Sequence, residues 1–183
     1  MRITDLYENA SSEYYYHGTT VKFSRFDPDI ASKVKTTIHG PGYYFTNNLE
    51  YATRFMTPEG GMWKVKIRNR RIVSKDGQDF TEGDIKHINK KFNNPNEDLN
   101  YINENFRNIN NYQLVDYLFS AFDRDINKTC KLLTEIGIDG LLVPAGTSKS
   151  VQSHPDIICV YSSNSILNPE FIEYDDVWDN IKK

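Results

Sequence analysis

Two short strings hold the residue types in this chain most able to do chemistry, Tyr16-His17-Gly18-Thr19 and Gly40-Pro41-Gly42-Tyr43-Tyr44-Phe45. A histidine edge at the end of an aromatic strand can donate to a hydroxyl. A glycine beside it leaves its backbone N–H and C=O bare, so that a carboxamide can approach where a Cβ would obstruct it. Aromatic faces clamp a planar ring, because offset stacking contributes about 0.5 to 1.5 kcal/mol per pair beyond burial. Tyr44, and Phe55 eleven positions later, are the rings available for such a clamp.

The elements that must position these residues follow from pattern. An aromatic strand is expected over 13–18 and a polar loop over 21–39, with Pro28, Lys33, Lys35 and His39 in it. A second strand carries Tyr43 to Phe45, and a helix over 48–56 starts at Asn47 or Asn48, as helix caps favour. An alternating strand from Met62 to Val73 puts Trp63, Val65 and Ile67 on one side and Lys64, Lys66 and Arg68 on the other. From Asp76 to Asn111 the chain is polar and asparagine-rich and reads as an insertion with short helices, Asp84 to Phe92 and Asn100 to Phe106, expected to shape target recognition or bind a partner. The apolar positions Leu114, Val115, Leu118, Phe119 and Phe122, then Ile126, Cys130, Leu133 and Ile136, recur at helical spacing before Gly137. Residues 137–143 read as a turn into a strand, Ile157 to Tyr161 as an apolar strand, and the stretch Glu170 to Asp179 as an acidic tail with peripheral apolar residues.

In order and spacing, the His-Gly, the glycine-rich loop into an aromatic strand and the following helix with Ala52 and Phe55 resemble the ADP-ribosyltransferase superfamily. The resemblance is to its diphtheria-toxin-like and poly(ADP-ribose) polymerase-like clade, named for a His-Tyr-Glu triad, and to small phage and bacterial domains. It covers roughly 14–73 and 133–172, and His17 and Tyr44 match the first two triad members. It implies a single α+β domain over 1–183, a split β-sandwich of two packed, mostly antiparallel sheets with an NAD cleft between them and a mainly helical insertion over 76–130. It also implies NAD as co-substrate, its nicotinamide riboside held by His17, Gly18, Thr19, Gly42, Tyr44 and Phe55, with the 21–39 loop over the diphosphate.

The third triad position is open. Family spacing counted back from Ile166 places Ile157 there, with Asp156 one residue earlier. Successive strand side chains point to opposite faces, so either a bulge turns Asp156 into the cleft as the catalytic acid or the chain is a His-Tyr-hydrophobic variant. Cleaving the nicotinamide–ribose bond builds oxocarbenium-like charge, which a carboxylate stabilises. Family enzymes without the glutamate add one ADP-ribose, so the resemblance implies mono-ADP-ribosylation by a toxin, effector or phage-conflict protein, with a neutralising antitoxin or immunity protein as a partner. The alternatives are an NAD glycohydrolase and a catalytically inactive module that binds NAD or ADP-ribose.

The 183 residues, 38% hydrophobic and 26% charged, suit one globular domain. No apolar run reaches the length of a membrane span and the first residues lack a signal-peptide stretch, which leads us to expect a cytoplasmic protein without membrane partners. Cys130 and Cys159 read as buried thiols, and with four scattered histidines they form no metal site. A net charge of −3 argues against wholesale nucleic-acid binding, although Lys64, Lys66, Arg68, Arg70, Arg71 and Lys75 form a local basic stripe. A protein acceptor is therefore favoured over RNA or DNA.

Overall fold

The computed structural model describes residues 14–26, 41–68, 71–92, 96–146 and 154–181. The chain runs β1 (Tyr15–Thr19), β2 (Tyr43–Thr46), α1 (Leu49–Thr53), β3 (Gly61–Ile67), β4 (Ile72–Ser74), α2 (Glu82–Asn89), α3 (Glu97–Asn105), α4 (Asn111–Ala121), α5 (Ile126–Glu135), β5 (Gly140–Val143), β6 (Ile157–Val160), β7 (Ile166–Glu173) and α6 (Tyr174–Ile181). The protein is α+β, and its strands form one sheet in the order β4-β5-β6-β2-β1-β3-β7, antiparallel except for β4 against β5. Two separate sheets, as the resemblance implied, are not what the hydrogen bonding shows.

The single sheet is nevertheless not flat. β3 and β4 lie five positions apart in it, about 24 Å at ordinary strand spacing. The chain from Ile67 to Ile72 spans at most about 18 Å. The sheet must curl to bring its two halves together, and side chains tie the join. Asp139 accepts from Arg71 N–H at 3.2 Å and from the Ser165 hydroxyl at 3.1 Å, while Arg68 N–H donates to the Ser165 carbonyl at 2.8 Å. β1 and β2 share one register pair, Tyr16 with Thr46, whereas β1 and β3 share five and β2 and β6 share four. That seam is the thinnest ladder between the two halves.

The expected strand from Met62 to Val73 is two strands in opposite halves of the sheet, because the chain leaves β3 after Ile67 to cross the fold. Within β3 the expected alternation holds, with Trp63 and Val65 buried and Lys64 and Lys66 half-buried. The acidic tail is also an integral part of the fold. β7 pairs with β3 along its length, and Val177 of α6 is buried against Ala52 and Met62. Asn168 and Pro169 stand opposite Val65 alone, a bulge in which Asn168 takes a φ of 49°. Proline costs no ladder bond there because β7 is an edge strand.

Asparagines earn their place through capping. The side chains of Asn48, Asn96 and Asn110 accept from the N–H groups of Tyr51, Leu99 and Gln113, starting α1, α3 and α4. Asn111, 1% exposed, accepts from Asp79 N–H and donates to Ser74 O and to the Asp79 carboxylate. The segment expected to be an insertion thus belongs to the main core, with Ile85, Ile88, Leu99, Ile102, Leu114 and Leu118 in one cluster with the strand residues. Among the described residues, no helix is long and apolar enough to cross a membrane.

Candidate functional site

The site is built at the open seam between β1 and β2. The pair Tyr16–Thr46 fixes the faces: Tyr16 and Gly18 of β1 share one face with Thr46 and Tyr44 of β2, and His17 shares the other with Phe45. The ring of His17 does not lie beside that of Tyr44. It sits among Phe45, Phe26 and Phe23 at centroid distances of 5.5, 5.8 and 6.1 Å, and reaches Tyr44 through its backbone, with Nδ1 2.8 Å from the Tyr44 carbonyl.

That contact fixes the chemistry of the histidine. A carbonyl oxygen only accepts, so the proton sits on Nδ1, and in the neutral ring Nε2 carries the lone pair. Burial among aromatic rings pushes the His17 pKa below its ordinary value of 6.5, more than the bond to Tyr44 raises it. At neutral pH His17 therefore offers an acceptor at Nε2, where sequence reasoning expected a donor to a hydroxyl.

Gly18 is required by packing. A Cβ on it would stand 2.1 Å from the carbonyl oxygen of Ala52 and 3.2 Å from Cβ of Phe55. Helix α1 is thus seated directly on Gly18, which brings Phe55, two residues past the helix, to the same place. Phe55 is 50% exposed and packs edge-on against Tyr51 at 5.4 Å, leaving much of its ring to solvent. Gly18 and Phe55 are brought together, and Tyr44 shares the Gly18 face of the sheet across the seam.

Other expected site residues have structural duties. The Thr19 hydroxyl donates to Val21 O at 2.8 Å and accepts from Val21 N–H, closing the turn after β1. Gly42, at a φ of +125°, packs against β6, where a Cβ would meet Val160 O at 2.6 Å and Cys159 Sγ at 2.9 Å. Gly40, Pro28, Lys33, Lys35 and His39 lie outside the described residues, as does Arg70.

Asp156 is not delivered to the Tyr44 face. β6 runs in unbroken register against both β2 and β5, with Ile157 opposite Thr46 and Val143, so no bulge intervenes. Ile157 therefore shares the face of Tyr44 and Gly18, while Asp156 Oδ1 accepts from Ala145 N–H at 2.7 Å and closes the β5–β6 connection. An amide oxygen accepts the same bond. Asp156→Asn is thus expected to leave the melting midpoint unchanged and any single-turnover cleavage of NAD within about twofold of wild type, whereas loss of an electrostatic stabiliser costs about a hundred- to a thousandfold. A fall of that size in a folded variant would return Asp156 to the reacting centre.

The basic stripe is dispersed by the fold. Lys64 pairs with Glu170 at 3.4 Å and lies over the Tyr14 ring with Lys66, Arg71 pairs with Asp84 at 3.0 Å, and Lys75 lies over Tyr112. Burial would raise the Asp84 carboxyl, but Arg71 and the Thr81 N–H and hydroxyl outweigh it and hold the pKa below the usual range. Two cavities flank the site. One, about 350 Å³, touches the His17 cage through Phe26 and Trp63 and is edged by Arg25, Ser24 and Ser163. The other, about 620 Å³, lies on the Tyr16 face and is lined by Glu170, Asp176 and Asp179 against Lys64. No protein-family model, curated protein or solved structure matches the chain.

Proposed function

We propose that this protein is an NAD-dependent mono-ADP-ribosyltransferase of the His-Tyr-hydrophobic type, with His17, Tyr44 and Ile157 at the three triad positions. The observation that carries this reading is the seam itself. β1 and β2 part after a single pair, and beside the parting stand a histidine kept neutral by burial with its Nδ1 on the Tyr44 carbonyl, a glycine against which helix α1 is seated, and the rings of Tyr44 and Phe55.

In this reading the nicotinamide stacks on the rings of Phe55 and Tyr44 at the edge of β1, since helix α1 covers the face of Gly18, and the ribose passes through the seam toward His17. A ribose hydroxyl donates to Nε2 of His17, which raises electron density on the sugar as the bond to nicotinamide breaks. The pair leaves with nicotinamide, and the cationic sugar carbon is taken by a nucleophile on the target, which loses its proton. Ile157 supplies no base, so the acceptor or its surroundings take that proton, and no residue activates a second ADP-ribose for chain growth. The cavity beside Arg25 suits the diphosphate half of NAD, because a guanidinium makes charge-assisted bonds to phosphate. The acidic lining on the Tyr16 face repels a phosphate backbone and favours a protein target over RNA or DNA.

Incubation with NAD labelled in the ADP-ribose part and a cell lysate tests the reading. Label retained on macromolecules, removed by protease and resistant to nuclease, is expected; no label in any fraction would contradict transfer. One observation favours a second reading, an inactive NAD-binding module: the β6 side chain opposite Thr46, on the Tyr44 face, is the apolar Ile157 and not a carboxylate. NAD binding with neither transfer nor hydrolysis would select it.

Phe55 separates a clamp from ordinary helix packing. Phe55→Leu is expected to weaken NAD affinity about three- to tenfold, in line with the worth of a stacked pair, and Phe55→Tyr to be tolerated. Isothermal titration of both variants reads the difference. Equal affinity in the leucine variant would remove Phe55 from the site.

A further inference from the structure

We infer that Cys159 is a positioning residue for the Tyr44 ring, one sulfur holding both the Tyr44 hydroxyl and the turn that leads into β2. The inference rests on Tyr44 being a wall of the NAD site. Tyr44 and Cys159 face each other directly across the β2–β6 ladder and share a face. Cys159 Sγ donates to the Pro41 carbonyl at 2.9 Å, and the Tyr44 hydroxyl lies within reach of the same sulfur across the ladder. Gly42 lies between these two contacts, so close that a Cβ there would meet the sulfur at 2.9 Å.

The thiol is suited to holding and unsuited to reacting. Cys159 has no exposed surface, and burial, reinforced by nearby Cys130, pushes its pKa well above the ordinary thiol value. Cys130, on α5, is itself pushed up to about 12 by burial. Cys159 therefore stays protonated, a permanent S–H donor toward Pro41 and a permanent acceptor for the Tyr44 O–H, where a nucleophilic thiol needs a depressed pKa. With its backbone carbonyl held by His17, Tyr44 starts from a fixed main chain, and the hydroxyl–sulfur contact sets where its ring ends.

The test reads the ring and the affinity separately. Fluorotyrosine is incorporated throughout, and the Tyr44 resonance is assigned by its loss in Tyr44→Phe. In the ligand-free protein, Cys159→Ala is expected to shift and broaden that resonance selectively, with Cys159→Ser restoring it. NAD affinity is expected to fall about tenfold in Cys159→Ala, the worth of one hydrogen bond, to recover in Cys159→Ser, and to fall no further when Cys159→Ala is added to Tyr44→Phe. A Tyr44 resonance unmoved in Cys159→Ala, or losses that add fully in the double variant, would overturn the positioning role. If Cys159→Ala does not fold, the infrared S–H bands of wild type and Tyr44→Phe decide without altering Cys159, since its band moves only if the hydroxyl is bound to it. Wild-type protein that binds no NAD would sink the proposed function, while the ligand-free resonance still decides the role of Cys159.

Discussion

His17→Ala is expected to lower nicotinamide release by about two to three orders of magnitude, the largest effect of any single substitution in this site. The magnitude follows from removing one preorganised hydrogen-bond partner of the transition state. Alanine also removes the bond to the Tyr44 carbonyl and empties a place between three phenylalanine rings, so a loss of about 1 to 3 kcal/mol in stability accompanies it. His17→Phe distinguishes the two effects, because it refills the cage without supplying Nε2. Both variants should be inactive and the phenylalanine variant better folded; activity near wild type in either would exclude His17 from the chemistry.

The same residue predicts a pH dependence with a definite sign. Burial lowers the His17 pKa in the folded protein below 6.5, so between that lower value and 6.5 the unfolded chain holds a proton that the folded one does not. Stability therefore falls as pH drops through this window and is independent of His17 above it. Protonation also removes the Nε2 lone pair, so activity is lost on the acid side only, with an apparent pKa below 6.5. Denaturant midpoints of wild type and His17→Phe between pH 5 and 8 check it: the phenylalanine variant should lack the acid-side slope that His17 contributes.

Gly18→Ala is expected to cost about 3 kcal/mol, at the upper end of overpacking penalties, because the obstructing atom is a backbone carbonyl rather than a flexible side-chain tip. Helix α1 must lift from β1, and Phe55 moves with it. NAD binding should be lost even under conditions where the variant remains folded. The denaturation midpoint and an NAD titration measure both effects. A midpoint within error of wild type with unchanged affinity would mean that α1 does not rest on Gly18.

Local order was readable in the residues, and long-range order was not. Asn48 opens α1 as capping chemistry requires, and the apolar stripes of α4 and α5 are buried as their spacing demands. β7 escaped notice because Asn168, Pro169 and its acids resemble a solvated tail; only an edge position and a bulge make them compatible with pairing. The break after Ile67 was hidden because alternation continues through Ile72 and Val73, although their neighbours lie in the other half of the sheet. At the site, the approach of Phe55 to Gly18 could be read from spacing. The histidine tautomer could not, since it depends on a carbonyl 27 positions away. Nor could the choice between Asp156 and Ile157, which turns on whether β6 keeps register.

The measurement that bears most directly on the account is single-turnover release of nicotinamide from NAD, followed with and without lysate, in wild type and His17→Phe side by side. Release by wild type that is strongly stimulated by lysate, and its absence from the phenylalanine variant, is the predicted result. Release that does not depend on lysate would make water the acceptor. No release by folded wild-type protein under any condition, or equal release by both proteins, would contradict the transferase assignment.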